Sequence, residues 1–307
     1  MMLLTFFSLL IGLTLFFGGL IWMRRGLTAL AGEKAQVLLK KATDQTWQGF
    51  LIGLFLSAIL GSSSVVTILI VALVQSGWMS FERSIALIIG ANVGTTLTLY
   101  LFSLPLEKLY TYILTISWLL YIWGKPKVKY IAQSAGGLTL AQMALHIIAS
   151  GARQTTDLLT LLPGYQPNTA SALPHLIFGA VLAALIQSST ASVLLSGAWL
   201  AQGVWTGSSA VAFIIGANIG TCFDTLLAGL SGAREGKRVA FAHLGINVLS
   251  AFVVYPFIPA FSQWVATYSP TSWLFMANAQ LAYNVISAAL FLPWTGLYAK
   301  MIQFFLR

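Results

Sequence analysis

Two short polar motifs recur in this chain in the same order and at the same spacing. One copy combines Gly-Ser-Ser-Ser at 61–64 with Gly-Ala-Asn-Val-Gly-Thr at 90–95. The other combines Gln-Ser-Ser-Thr at 187–190 with Gly-Ala-Asn-Ile-Gly-Thr at 216–221, 126 residues later. Hydroxyl groups both donate and accept hydrogen bonds, so these motifs suit an oxyanion and a cation alike.

The similarity extends beyond the motifs. Residues 50–95 align with 176–221 without a gap and share 16 of 46 residues, seven of them within 88–95. Shared apolar composition would scatter the identities and would not keep an Asn and a Thr at one offset. The alignment predicts a duplicated unit, with repeats at about 43–104 and 173–230 of a single transmembrane domain, 1–307.

The composition predicts a protein that crosses the membrane several times. The 307 residues are 58% hydrophobic and 7% charged, whereas soluble domains carry about 25% charged residues. The net charge of +9 lies in clusters between apolar stretches, which indicates membrane orientation and not nucleic-acid binding. Three scattered His and one Cys do not form a transition-metal site.

Each repeat begins with two apolar arms that are too short to cross a bilayer. The arms are 50–60 and 65–76 in the first repeat, and 176–186 and 191–201 in the second. Eleven helical residues extend about 16 Å, against a hydrocarbon core of about 30 Å. We expect an all-α polytopic membrane protein with inverted-topology repeats, each with a re-entrant helical hairpin and a broken or Gly-rich transmembrane helix.

The basic residues predict the orientation. A first span at 3–23 with the N-terminus outside, followed by an interfacial helix at 24–48, places fourteen Lys and Arg inside and only Lys108 and Arg153 outside. The two hairpins then enter from opposite sides, and the C-terminus is cytoplasmic. We expect this multi-pass protein in the cell inner (plasma) membrane.

Helix N-termini at the hairpin tips leave free N–H groups and a positive dipole end, which attract anions. The predicted substrate-binding residues are Ser62, Ser63, Ser64, Gln187, Ser188, Ser189, Thr190, Asn92 and Asn218. The predicted ion-binding residues are Gln187, Ser188, Thr95, Thr221, Asn92, Asn218 and Asp224. The plainer alternative is that the serines cap helices and the G-x-x-x-G glycines pack them, but two symmetric polar copies favour binding.

Two further polar positions lie in apolar spans. Asp224 follows Thr221 by one turn, and its repeat partner is Thr98. An intramembrane carboxylate binds a cation or carries a proton, unless it is a hydrogen-bonded or snorkelling Asp near the cytoplasmic end. His243 and Asn247 share a helix face, and we expect a structural hydrogen-bonded pair.

On these motifs the chain resembles the type II sodium/phosphate cotransporter family, over roughly residues 10–260. The closest matches are 187–190, 216–221 and the stretch from Arg238 to Asn247. The resemblance implies symport of inorganic phosphate with Na⁺ as coupling ion, no other cofactor, and both hairpins meeting at one site. Gly61, Thr190 and Cys222 depart from the family pattern, and we expect no accessory C-terminal domain of the kind that some bacterial members carry.

The motifs themselves contain no Lys or Arg. A divalent oxyanion among neutral hydroxyls is costly to desolvate, so a co-bound cation is expected to offset its charge. The alternatives are a phosphate exporter, a carrier of another small anion and, more distantly, an intramembrane serine enzyme using His243; a scaffold would not need these polar residues. The expected partners are inorganic phosphate, sodium ions and the lipid bilayer, and a homodimer is compatible with the sequence.

Overall fold

The computed structural model describes residues 2–31, 45–151 and 171–306, with side chains from residue 7 onward. Within these ranges every regular element is helical. The first half contains α1 (Met2–Ala31), α2 (Thr46–Leu60), α3 (Ser63–Gln75), α4 (Phe81–Phe102), α5 (Tyr110–Trp123) and α6 (Pro126–Gly151).

The second half repeats the hairpin pattern and then adds two long segments. It contains α7 (Ala172–Ile186), α8 (Ser189–Ala201), α9 (Gly207–Gly220), α10 (Cys222–Leu230), α11 (Arg234–Val254), α12 (Ile258–Thr267), α13 (Ser272–Phe291) and α14 (Thr295–Phe305). Short 3₁₀ turns containing Pro256 and Pro293 join α11 to α12 and α13 to α14, because a proline interrupts the α-helical hydrogen bonds.

Five helical segments of the described chain are long and apolar enough to cross a bilayer. They are Phe7–Ala31, Phe81–Phe102, Gly207–Leu230, Arg234–Thr267 and Ser272–Phe305. The all-helical, multi-pass membrane architecture predicted from composition is therefore confirmed.

The short arms also form as predicted. α2 and α7 have 15 residues each, and α3 and α8 have 13 each. Both first arms end in the left-handed region, at Gly61 (φ 62°) and Gln187 (φ 58°). This conformation turns the chain sharply at a helix C-terminus; glycine adopts it freely, whereas Gln187 does so at a steric cost.

Glycines bring each first arm into backbone contact with the long helix of its repeat. A methyl group at Gly90 would overlap the carbonyl oxygen of Phe50, and one at Gly216 would overlap that of Leu176. These pairs correspond under the 126-residue shift of the repeat. The close packing expected of the G-x-x-x-G pairs is therefore present in both copies.

The two long helices differ where the repeats differ in sequence. α4 is continuous through its motif, whereas the second crossing segment is interrupted at Thr221, between α9 and α10. The interruption places Asp224 in the first turn of a new helix.

Helix α1 departs from the sequence-based boundary. We expected a span ending at 23 and a separate interfacial helix at 24–48, but the helix continues to Ala31; residues 32–44 lie outside the described chain. Gly26 lets the extended helix pack closely against α6, because a side chain at this position would meet the Tyr130 carbonyl oxygen. Arg24 therefore lies within a continuous membrane helix.

Candidate functional site

The two serine turns have the same local geometry. Ser62 Oγ accepts a hydrogen bond from the backbone N–H of Val65 at 3.3 Å, and Ser188 Oγ accepts one from Ala191 at 3.2 Å. Each first serine is thus the N-cap of the second arm, as the plainer interpretation expected.

Eleven of the twelve predicted site residues are buried. They are Ser62, Ser63, Ser64, Asn92, Thr95, Ser188, Ser189, Thr190, Asn218, Thr221 and Asp224. Gln187 differs because its side chain is exposed. The structure therefore encloses the hydroxyl groups of both turns and leaves the one amide of the turns at the surface.

Arg24 joins the two turns, although the sequence analysis counted it only as an orienting charge. Its Nη2 donates a hydrogen bond to Ser188 Oγ at 2.8 Å. Its Cγ lies 4.0 Å from the position that a Cβ atom would take on Gly61. Both turns therefore lie within reach of one arginine side chain from α1. The signal available in the sequence was the absence of proline between Met23 and Ala31.

Asp224 lies beside the serine turn of the first repeat. Its carboxylate is hydrogen-bonded to Ser64, and its Oδ1 atom is buried without a hydrogen-bond partner among the described residues. Ser64 belongs to the first repeat and Asp224 to the second. The carboxyl group of Asp224 therefore links the two repeats through its contact with Ser64.

A hydrogen-bond chain connects His243 with the same turn. Thr225 Oγ1 lies 2.9 Å from His243 Nδ1 and donates to Thr67 Oγ1 at 3.1 Å, and Thr67 in turn donates to the Ser64 carbonyl oxygen at 3.1 Å. The tautomer with a proton on Nδ1 completes this chain. Asn247 Nδ2 binds the His243 carbonyl oxygen at 3.0 Å, so the expected pairing runs through the backbone and the imidazole binds Thr225 instead.

The motif asparagine of the second repeat has a partner that the sequence analysis missed. Asn218 Nδ2 donates to Gln280 Oε1 at 3.1 Å, and Gln280 Nε2 donates to Asn218 Oδ1 at 3.2 Å. This reciprocal amide pair fixes the last turn of α9 to the middle of α13. A glutamine within an apolar span was the sequence signal for such a partner.

The hydroxyl groups of the motif threonines donate hydrogen bonds to backbone carbonyl oxygens of their own helices. Thr95 Oγ1 donates to the Ala91 carbonyl oxygen and Thr221 Oγ1 to that of Ala217, each at 3.2 Å. A hydroxyl that donates in this way keeps oxygen lone pairs for another partner, such as a cation. The two repeats share this arrangement as well.

The sequence pattern of the Na⁺/Pi-cotransporter family matches residues 15–150 and 163–281. The chain belongs to this family. The resemblance seen in the motifs is thereby confirmed, and the chain stands among transporters and not enzymes. Membership of the Na⁺/Pi-cotransporter family supports phosphate transport as its general function.

Two relatives align with nearly the whole of this chain. The "Uncharacterized protein YqeW" of Bacillus subtilis is 31% identical over 288 residues, which are 94% of each chain. The "Putative inorganic phosphate export protein YjbB" of Escherichia coli strain K12 is 22% identical over 305 residues, 99% of this chain but 56% of that protein. The chain thus spans about half the length of YjbB. No solved structure matches it.

Proposed function

We propose that this protein is a secondary active transporter that carries inorganic phosphate across the membrane together with sodium ions. The observation that carries the proposal is the pair of equivalent serine turns, whose first serines cap the following helices and whose next residues are buried beside them. Backbone N–H groups at a helix N-terminus and flanking hydroxyl groups suit the oxygens of a phosphate ion.

Charge explains why sodium would accompany the phosphate. Each helix N-terminus supplies only about half an elementary charge, which does not neutralise a divalent anion. A co-bound cation reduces the cost of moving that anion out of water. Asp224 and the lone pairs of Thr95 and Thr221 are oxygen ligands of the kind that hard cations prefer. We place the sodium-binding residues there, with Asn92 and Asn218 completing the site.

The proposed transport cycle uses the duplication. In it the repeats, about 43–104 and 173–230 of one transport domain, have inverted orientations and rock against each other to open the site alternately to each side. The distribution of Lys and Arg supports an outer N-terminus and a cytoplasmic C-terminus in the plasma membrane. A homodimer is compatible with this arrangement.

Uptake of radiolabelled phosphate into proteoliposomes tests the proposal. We expect uptake driven by an inward sodium gradient and not by an equal potassium gradient. Ser189→Ala should lower the initial rate at least about tenfold, because a lost contact to a charged ligand is worth that factor. Ser196→Ala on the same helix is the matched control, since Ser196 donates to its own backbone at Val193 at 2.8 Å. Folded protein without sodium-dependent uptake would refute the proposal.

Export is the second candidate direction, and the similarity to YjbB, a putative inorganic phosphate export protein, favours it. The same binding site serves both directions, because the gradients decide which way a coupled carrier runs. Proteoliposomes loaded with labelled phosphate separate the two cases when net efflux and net uptake are compared under physiological gradients. Faster net efflux under an inward sodium gradient would favour export and would contradict sodium symport into the cell.

A further inference from the structure

The first helix contributes a positive charge to the space between the serine turns. Arg24 Nη2 holds Ser188 of the second turn at 2.8 Å, while the aliphatic part of the same side chain passes Gly61 of the first turn. The neighbouring Arg25 is exposed. Two consecutive arginines therefore have different surroundings, and only Arg24 contacts the predicted site.

Two unused hydrogen-bonding groups lie beside Gly61. Arg24 Nε and Thr98 Oγ1 are both buried without a hydrogen-bond partner among the described residues. Thr98 Oγ1 lies 3.7 Å from the position of a Cβ atom on Gly61, close to the Arg24 stem. Buried donors without partners are costly, so two of them at one place point to a bound group that would satisfy them.

The two serine turns differ at position 61, next to the arginine stem. The second turn has Gln187 at the equivalent position, in the same left-handed conformation, whereas the first has glycine. A glycine leaves open the space that a glutamine side chain would take. The arginine stem passes beside this space, and its guanidinium reaches Ser188 of the second turn.

We infer that Arg24 is the resident cation of the substrate site and binds the oxyanion through its forked N–H groups. The inference rests on the proposed phosphate-transport function and deepens it. A guanidinium presents parallel donors that match two oxygens of a tetrahedral anion, which a single ammonium group does not. The arginine also supplies one of the positive charges that a site made of hydroxyl groups alone would need from bound sodium ions.

Phosphate binding to purified protein in lipid nanodiscs tests this role at a fixed sodium concentration. Arg24→Gln should raise the Kd for inorganic phosphate at least about tenfold, the factor expected for loss of a charged hydrogen bond. Arg25→Gln removes the same charge one residue away and is the matched control, with less than about a twofold change expected for an exposed, screened charge.

The outcomes separate the inference from the proposed function. If the folded wild-type protein binds no phosphate, both fail. If it binds phosphate and Arg24→Gln binds equally well, the inference fails and the proposed function stands. If the role of Arg24 is purely structural, Arg24→Gln would lower the thermal stability and leave the Kd of the folded fraction unchanged. If Arg24→Gln does not fold, Arg24→Lys decides, because it keeps the charge and loses the fork: weaker binding supports the inference, and unchanged binding overturns it.

Discussion

Replacing Ser188 by alanine should destabilise the protein more than the equivalent change at Ser62. Both serines cap a helix through a hydrogen bond from a backbone N–H. Loss of such a cap costs about 1 kcal/mol. Ser188 also accepts a hydrogen bond from the Arg24 guanidinium, and a hydrogen bond to a charged group contributes about 1.5 to 3 kcal/mol more. The two repeats thus provide a pair of capping serines whose described hydroxyl contacts differ by the arginine hydrogen bond.

The free energy of unfolding can be measured from tryptophan fluorescence in mixed micelles containing increasing amounts of SDS. We expect a small loss for Ser62→Ala and a loss larger by at least about 1.5 kcal/mol for Ser188→Ala. Arg24→Gln should then lower the free energy of unfolding by less when Ser188 is already alanine, because both changes remove the same hydrogen bond. On the Ser62→Ala background the arginine change should be additive.

Equal losses for the two serine variants would refute this reasoning. Full additivity of Arg24→Gln with Ser188→Ala would refute it as well, because residues that share a hydrogen bond show a coupling energy. Either result would mean that the Arg24 guanidinium does not bind the second serine turn in the folded protein.

Three further predictions concern packing, a buried amide and the coupling ion. Gly216→Ala should prevent α7 and α9 from packing and reduce the yield of folded protein in size-exclusion chromatography, whereas Gly296→Ala, with open space around it, should not. Gln280→Leu leaves the Asn218 amide without its partner and should lower the free energy of unfolding by about 1 to 3 kcal/mol in the same SDS titration; an unchanged value would contradict the amide pair. Asp224→Asn removes a buried carboxylate and should raise the sodium concentration for half-maximal phosphate uptake at least about tenfold, whereas an unchanged sodium dependence would exclude it as an ion ligand.

Much of this architecture could be predicted from the sequence because local rules govern it. Apolar runs of limited length, punctuated by serines and by a residue that turns the chain, determine where short helical arms begin and end. The four predicted arms match α2, α3, α7 and α8 closely, and the duplication was visible as aligned residues. The polar motif residues were recognisable because burying a polar side chain in an apolar span is costly, so such a residue marks a binding or structural site.

Other features depended on how distant segments dock. Arg24 and Ser188 are 164 positions apart, and no periodicity relates them. Their contact exists because α1 continues past Met23 and packs along α6, which brings the guanidinium to the second serine turn. The pairing of Asn218 with Gln280 likewise required α13 to pack against α9. The sequence by itself determined the helices, the repeats and the polar residues of the turns. Only the tertiary structure decided which charges and amides meet them, because such contacts depend on packing between helices and not on local spacing.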